Sequence, residues 1–207
     1  MIDPMDASGF VRLADAVPDI LEDMRYYTTF NFIGRRVDGY GAPRALLTAE
    51  AAEALARAAQ RAERLGLRLK VFDAYRPQRA VDCFVRWVED PEDLKMKRWF
   101  YPETEKSSFY ALDFIGRRSG HSRGSAVDLT LFDMATGRDL DMGGPFDFFG
   151  PLSRFDYPGL APAQAGNRRL LRELMTGCGF APLEAEWWHF MLRPEPYPDT
   201  YFNFVIE

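Results

Sequence analysis

The chain has 207 residues, of which 47% are hydrophobic and 28% are charged, and these values are typical of a globular protein. The length favours one domain over residues 1–207, and the net charge of −5 provides no basic surface, so we expect no nucleic-acid partner. Only two cysteines occur, Cys83 and Cys178, which is too few for a disulfide framework and favours a reducing compartment.

The N-terminal segment carries no recognisable targeting signal. Residues 1–6 lack both the basic region and the apolar core of a signal peptide. No apolar run along the chain approaches the ~18 residues that a membrane span requires. We therefore expect a cytoplasmic protein that does not associate with a membrane.

The first regular elements are predicted from composition and periodicity. Residues 24–32 are rich in Tyr, Thr and Phe, which favours a strand, and turns are expected near Asp38-Gly39 and Gly41-Ala42-Pro43. A helix should follow, with Thr48 as its N-cap and Gly66 at its end. Its inward face recurs at helical spacing and comprises Ala51, Leu55, Ala58, Ala62 and Leu65.

A strand and a second helix come next. Apolar residues alternate with basic ones over residues 67–71, which predicts a half-buried strand ending at Asp73-Ala74-Tyr75-Arg76-Pro77. Pro77 suits the first turn of a helix, and helical spacing is kept by Ala80, Val81, Phe84, Val85 and Val88. Residues 90–118 combine prolines, charges and aromatics, so we predict a long covering loop of the kind that forms lids.

The C-terminal half alternates loops with short elements. A strand should begin near Ser125. Residues 133–166 are rich in glycine, proline and aspartate and are predicted to form a loop. Asn167 should then cap a helix that extends through Met175 and ends at Gly177. The aromatic segment 186–192 favours a strand. Strands and helices in this uneven order predict an α+β fold, a compact domain with a central, mostly antiparallel sheet flanked by helices.

Two histidines and two carboxylates stand out as candidates for metal chemistry. His121 is followed by Asp128 seven residues later, and the other histidine of the chain, His189, comes three residues after Glu186. Two histidines and one carboxylate form a natural zinc set that leaves a fourth position for water. Glu186 is then a candidate for the base that uses that water.

Each of these residues also has a simpler interpretation. Without a metal, His121 would be a residue of a surface loop and Asp128 a carboxylate held by hydrogen bonds, and a spacing of seven residues alone is weak evidence for a metal site. Residues three apart share a face on a helix but point to opposite faces of a regular strand. If Glu186 and His189 act together, their segment must therefore bend or bulge at its start. Trp187 and Trp188 between them suit the core or a pocket wall.

Arg76 and Asp147 are further candidates. Arg76 lies where a strand ends and a helix begins, a common place for site residues, although a surface salt bridge with Asp73 would also explain it. Asp147 is an acid among Phe146, Phe148 and Phe149, or else an ordinary turn residue.

Taken together, three motifs resemble a known family. They are Asp73-x-Tyr75-Arg76-Pro77, Ser119-x-His121-x-x-Gly124-x-Ala126-x-Asp128 and Glu186-Trp187-Trp188-His189. In order, spacing and total length the chain is similar to the D-alanyl-D-alanine dipeptidases of the vancomycin-resistance type. These belong to a wider group of zinc peptidases that includes D-Ala-D-Ala carboxypeptidases and the hedgehog signalling domain.

The resemblance implies a fold, a cofactor and roles for single residues. It implies one Zn²⁺ per chain on His121, Asp128 and His189, with Glu186 as the catalytic base and Arg76 beside the reacting carbonyl. Substrate contacts are assigned to Ser119, Asp147, Asp73 and Tyr26. The expected partner is a small dipeptide, D-Ala-D-Ala, and a homo-oligomer stays open.

Two other functions remain as alternatives. The same metal set would serve a carboxypeptidase or endopeptidase of longer cell-wall peptides, or a zinc-bearing binding module without turnover. Glu186 and Arg76 argue against the binding module, because a structural metal needs neither. The absence of an export signal argues against enzymes of external wall peptides. The biological role is open between antibiotic resistance, wall-peptide recycling and nutrition with D-alanine.

Overall fold

The computed structural model describes residues 2–112 and 114–207. The strands in this part of the chain are β1 (Phe10–Arg12), β2 (Leu21–Glu22), β3 (Leu46–Thr48), β4 (Leu67–Asp73), β5 (Ala126–Asp133), β6 (Arg138–Asp139), β7 (Phe180–Leu183) and β8 (Glu186–Leu192). The α-helices are α1 (Leu13–Ala16), α2 (Ala49–Glu63), α3 (Gln78–Glu89), α4 (Lys97–Phe100) and α5 (Pro162–Thr176).

The larger of two sheets organises the molecule. Its strand order is β2-β4-β5-β8-β7, and β6 pairs with β5 outside this path. Among these pairs β2 and β4 run parallel, and the others are antiparallel. Helix α2 packs against β4 and α5 against β7. The α+β class, with a mostly antiparallel sheet flanked by helices, is therefore confirmed.

Strand β5 forms the middle of this sheet. Its first six residues are buried, as expected for a strand that is covered on both faces. Antiparallel pairing with β8 sets Asp128 directly opposite His189. Two of the residues singled out from the sequence are thus brought together by strand register alone.

Helix α2 follows the predicted pattern except at its end. The side chain of Thr48 accepts a hydrogen bond from the Ala51 N–H (3.4 Å), so the predicted N-cap is confirmed. The prediction that Leu65 faces inward is wrong, because this side chain is 56% exposed. The helix ends at Glu63, and Gly66 (φ +74°) turns the chain towards β4, which takes Leu65 off the buried face.

The prediction of a strand over residues 24–32 is wrong. Residues 24–32 form turns, not a strand. The Asn31 side chain bonds to the Thr28 and Arg35 carbonyls and to the Ile33 and Gly34 N–H groups, which holds the chain in a turn. Tyr26 and Phe32 of this segment pack in the buried core, so their aromatic character reflects burial in a turn instead of strand pairing.

Helix α5 starts six residues earlier than predicted. It begins at Pro162 and not after Asn167, while Gly177 follows its last turn as expected. Proline is well suited to a first helical position because that residue has no intrahelical partner for an N–H. The Ala161 N–H is also bonded to the Gln164 side chain (2.9 Å). A proline interpreted as a loop signal was therefore a helix start.

The segment 90–118 contains short helical turns in a long connection. Within its described residues there are α4 and one 3-10 turn, Lys106–Ser108. Phe109 of this segment is buried against Phe149 and Trp87. The described residues of this segment thus pack over helix α3 and over the loop that carries Asp147, which agrees with the predicted covering loop.

Three further properties bear on the predictions. No helix in the described residues is long and apolar enough to cross a membrane. Cys83 and Cys178 are both buried and unbonded to one another. One continuous buried core contains residues from Leu13 to Ile206, which is consistent with a single domain over residues 1–207; that assignment stays a prediction.

The cap of α2 provides a test of the local structure. Thr48→Ala should lower the free energy of unfolding by about 1–2 kcal/mol, because the first turn of α2 loses its side-chain acceptor. Thr48→Ser keeps the hydroxyl and is the control. Urea unfolding of the three proteins measures the effect. An equal loss in both variants would attribute the stability to the methyl group instead of the cap.

Candidate metal centre and substrate pocket

A tight turn presents His121 just before the start of the central strand β5. The 3-10 turn Gly120–Arg123 has Ser119 as its N-cap, and the Ser119 side chain accepts from the His121 N–H (3.3 Å). Gly124 ends the turn with φ +79°, and a Cβ there would lie 2.3 Å from the Phe10 ring. A larger residue is therefore excluded at 124, and the chain reverses directly into β5.

Three potential metal ligands converge at this point. His189 Nδ1 lies 2.9 Å from Asp128 Oδ1, and His121 Nε2 lies 3.2 Å from Asp128 Oδ2. The two histidine nitrogens are 3.1 Å apart. All three side chains are nearly or fully buried, with relative exposures of 2%, 1% and 9% for His121, Asp128 and His189. Within the described part of the chain, they form the group of side chains that could hold a metal ion.

The donor set fits a tetrahedral divalent metal. Bonds of about 2.0–2.2 Å give a tetrahedron edges of about 3.3–3.6 Å. The two histidine nitrogens are 3.1 Å apart, and each lies within 3.2 Å of an oxygen of Asp128, so all three side chains can reach one ion. His121 Nδ1 lies 2.7 Å from the Ala74 carbonyl, so it donates there and leaves an unprotonated Nε2 facing the other ligands. Two nitrogen lone pairs and a carboxylate in one buried space favour a cation between them.

Glu186 reaches the same point through a distortion of β8. The register pairs Pro182 with Phe190 but Leu183 with Glu186, so extra residues bulge out of β8 at its start. This bend brings Glu186 Oε2 to 3.9 Å from His189 Nδ1. The condition set by the three-residue spacing, a bend or bulge, is met.

The environment of Glu186 alters its proton affinity. Burial raises the pKa of Glu186 to about 7, and the nearby charge of Asp128 acts in the same direction. A carboxyl group with such a pKa can both accept and release a proton near neutral pH. Trp187 and Trp188, at 4% and 2% exposure, pack behind it; Trp188 lines the pocket and its neighbour belongs to the core.

Arg76 is buried beside the ligand triangle. Its Nε donates to Asp73 Oδ2 (2.8 Å), and one terminal nitrogen lies 3.5 Å from Asp128 Oδ2. The guanidinium carbon lies 5.0 Å from the centre of the Tyr26 ring and 5.2 Å from that of Phe84. The salt bridge with Asp73 exists but is not a surface pair, because Asp73 is fully buried.

Asp147 and Tyr26 form a pair at another wall of the pocket. The Tyr26 hydroxyl donates to Asp147 Oδ2 (3.0 Å) and Oδ1 (3.2 Å). Asp147 is 7% exposed, and burial together with the charge of Asp128 holds its pKa well above the ordinary value. Its backbone is left-handed, with φ +61°, so Asp147 is both a turn residue and a buried acid.

These groups share one cavity of about 310 Å³. It is lined by Tyr26, Arg76, Ser119, His121, Asp128, Asp147, Glu186 and His189 among others. Asp73 is the one predicted site residue outside the lining, and it lies behind Arg76. A second cavity of about 250 Å³ between α1 and α2 has no comparable set of convergent ionisable groups.

Several residues of this cavity were missed from the sequence. Phe84, Phe149 and Met191 line it, as do Phe114 and Arg118 from the covering segment. Tyr40 supports the site from behind, with its hydroxyl donating to Asp73 Oδ1 (2.7 Å). Arg118 could have been predicted from the sequence, because it directly precedes the Ser119 motif. The aromatic residues could not, because many other aromatic residues of the chain simply form the core.

Comparisons with known proteins agree on one family. The Peptidase_M15 family model, described as D-ala-D-ala dipeptidase, matches residues 6–207. A D-alanyl-D-alanine dipeptidase of Streptomyces coelicolor is 47% identical over 197 residues, which is 95% of this chain and 98% of the relative. Proteins of the same name are similar in Enterococcus faecalis (43% identity; 96% and 98% covered) and Escherichia coli (37%; 93% and 90%).

The ligand triangle predicts the behaviour of two histidine variants. His121→Ala and His189→Ala should each lose the bound divalent metal, because each removes one of three protein ligands. Ser122→Ala is the control, since the Ser122 hydroxyl is buried next to His121 and has no hydrogen-bond partner among the described residues. Elemental analysis of the purified proteins measures the amount of divalent metal bound per chain. Unchanged metal in both histidine variants would show that the metal binds elsewhere.

Proposed function

Because the chain belongs to the Peptidase_M15 family of D-Ala-D-Ala dipeptidases, we propose that it hydrolyses the free dipeptide D-Ala-D-Ala to two molecules of D-alanine. The observation that carries the proposal is the buried triangle of two histidine nitrogens and a carboxylate, with Glu186 3.9 Å from one of the nitrogens. A ligand set with an adjacent carboxylate base is the arrangement required for metal-assisted hydrolysis of an amide.

We propose zinc as the metal, held by His121, Asp128 and His189. Nitrogen and oxygen donors at these separations suit it, and three protein ligands leave one coordination position open, as in catalytic zinc sites. A bound zinc ion would supply Lewis acidity, polarising the scissile carbonyl and lowering the pKa of a water molecule. The Ala74 carbonyl fixes the tautomer of His121 for this task.

Glu186 is proposed as the general base and then the general acid. It takes a proton from the attacking water as the water oxygen bonds to the scissile carbonyl carbon. It then delivers that proton to the amide nitrogen as the carbon–nitrogen bond breaks, so one molecule of D-alanine leaves as an amine. The pKa of about 7 supports both transfers at neutral pH.

Arg76 is proposed to stabilise the charge that develops on the carbonyl oxygen. The Nε bond to Asp73 fixes the guanidinium plane, and the neighbouring aromatic rings of Tyr26 and Phe84 pack against the guanidinium group. Its remaining donors are therefore set in place before the reaction, and a preorganised donor of this kind commonly contributes about 3–4 kcal/mol to the transition state.

The two ends of the dipeptide are assigned to different walls of the cavity. We place the substrate ammonium at the pair of Asp147 and Tyr26, whose carboxylate would gain the cationic partner that it lacks in a buried position. Ser119 is the candidate contact for the substrate carboxylate, because it lines the same cavity next to His121. A volume of about 310 Å³ suits a very small ligand.

This arrangement favours the dipeptide over the alternatives. A carboxypeptidase of longer peptides needs an open path beyond the ammonium position, whereas Asp147 is 7% exposed there and Phe114, Ile115 and Phe149 line the cavity. A binding module without turnover does not explain why Glu186 and Arg76 approach the ligand triangle.

The setting of the reaction is proposed on the same basis. A cytoplasmic location fits a substrate that is a free dipeptide instead of a finished wall peptide. Removal of D-Ala-D-Ala would serve antibiotic resistance, wall-peptide recycling or nutrition with D-alanine. A homo-oligomer stays a prediction.

The base has a specific test. Glu186→Gln should lower kcat by about 10²–10⁴, the usual contribution of general acid–base catalysis, while the metal content stays that of the wild type. Glu184→Gln, in the same β7–β8 hairpin but paired with Arg172 on the outside, is the control. Steady-state assays with elemental analysis measure both. Loss of the metal in Glu186→Gln would make this residue a ligand and not the base.

Selectivity for the free ammonium tests the substrate assignment. D-Ala-D-Ala should be cleaved, whereas N-acetyl-D-Ala-D-Ala and tripeptides ending in D-Ala-D-Ala should not, because an amide leaves Asp147 buried without a cation. Asp147→Asn should raise KM for the free dipeptide and narrow its advantage over the acetylated one. Release of D-alanine is the measurement. Comparable kcat/KM for free and acetylated dipeptides in the wild type would favour the carboxypeptidase instead.

A further inference from the structure

The backbone at Asp147 requires an external restraint. Its φ of +61° lies in the left-handed region, which costs free energy in any residue other than glycine. Its carboxylate is also buried in the same cavity as Asp128 and Glu186. A loop with a strained backbone and a buried acid keeps this conformation only where its surroundings hold it.

Arg168 of α5 is placed to hold this loop at both ends. Its side chain is almost completely buried, with 1% exposure. Nε donates to the Met142 carbonyl (2.6 Å), which precedes Asp147 in the chain. The two terminal nitrogens donate to the Leu152 (2.9 Å) and Arg154 (2.5 Å) carbonyls, which follow it. The guanidinium thus joins the two ends of the 142–154 loop.

The other hydrogen bonds to this loop each secure a single point. Asn167 donates to the Asp141 carbonyl just before the loop, and Tyr26 donates to the Asp147 carboxylate. At Phe149, the N–H is bonded to the Phe100 carbonyl and the carbonyl accepts from the Thr104 hydroxyl. In the described residues, Arg168 is the one side chain that donates to carbonyls on both sides of Asp147. Its removal should therefore release the loop even though these single contacts remain.

The environment of Arg168 is unusual for a structural arginine. None of the described carboxylates lies within salt-bridge distance of it. Its charge is balanced by the carbonyl dipoles that it contacts, and the charge of Asp141 acts in the same direction from farther away. Burial lowers the pKa of Arg168 to about 10, which still leaves it charged at neutral pH. The guanidinium also lies 5.7 Å from the Trp187 ring, next to Glu186 in the chain. A buried charge without a salt-bridged counter-charge is costly, so this position has a role beyond filling space.

We propose that Arg168 is a positioning residue for substrate recognition. It closes the 142–154 loop so that the Asp147 carboxylate faces the position of the substrate ammonium, and it packs against the Trp187 wall beside Glu186. It acts through Asp147 without contacting the substrate. The inference rests on the proposed function, because it assigns Asp147 to the ammonium.

The kinetic test compares Arg168→Met with Arg168→Lys. Arg168→Met should raise KM for D-Ala-D-Ala by about 10–100-fold, since displacements of about 1 Å have effects of this size, with a smaller change in kcat. Metal content should stay that of the wild type, because the ligands lie on β5, β8 and the turn before β5. Arg168→Lys keeps the charge and some donors, so it should recover part of the loss. Arg172→Met on the same helix is the control, since Arg172 pairs with Glu184 outside the loop.

A double-mutant cycle separates positioning from general destabilisation. If Arg168 acts through Asp147, then Arg168→Met should change KM little in an Asp147→Asn background, because the recognition it supports is already lost. Fully additive effects would overturn the proposal, and so would a loss of metal in Arg168→Met. Unfolding of both Arg168 variants would also contradict it, because the residue would then stabilise the whole core.

A readout without substrate keeps this test separate from the proposed function. In Arg168→Met, amide hydrogen exchange should accelerate in residues 142–154 and stay slow in β5 and β8. Unchanged exchange in that loop would overturn the positioning role. If the wild-type protein did not hydrolyse D-Ala-D-Ala, the proposed function would fail, while the exchange experiment would still decide whether Arg168 holds the loop.

Discussion

The structure depends on the register between β5 and β8. Antiparallel pairing of these strands sets Asp128 opposite His189, and the turn closed by Gly124 brings His121 to the same point. A register slip of one residue would turn Asp128 to the other face of the sheet and dissolve the triangle. The bulge at the start of β8 is equally necessary, because it places Glu186 on the same side of the sheet as His189.

Charge balance explains much of the surrounding architecture. Asp73, Asp128 and Asp147 are buried in or behind one cavity, Glu186 lines the same cavity and is half-buried, and Arg76 is the cation that lies among them. Buried carboxylates in excess of cations are unfavourable, and the raised pKa values of Asp147 and Glu186 express this. A divalent metal would offset most of the excess, and the ammonium of a substrate would offset more of it. The site is therefore suited to a ligand that carries its own positive charge.

The sequence predicts the chemistry of this site better than its framework. His121, Asp128, Glu186 and His189 were identified because few residue types bind metals and the chain has two histidines. The need for a bend between Glu186 and His189 followed from strand geometry. By contrast, residues 24–32 resembled a strand because buried aromatics serve turns and strands alike, and the fold at that point is set by the Asn31 side chain. The role of Arg168 could not be predicted, because it depends on the positions of backbone carbonyl groups, which the sequence does not reveal.

The most direct measurement is a crystal structure of zinc-loaded Glu186→Gln protein with D-Ala-D-Ala, recorded at the zinc absorption edge. The account predicts one anomalous peak about 2.0–2.2 Å from His121 Nε2, His189 Nδ1 and an Asp128 oxygen. It also predicts the dipeptide ammonium within hydrogen-bond distance of the Asp147 carboxylate. A peak at any other set of side chains, or an ammonium turned away from Asp147, would contradict it.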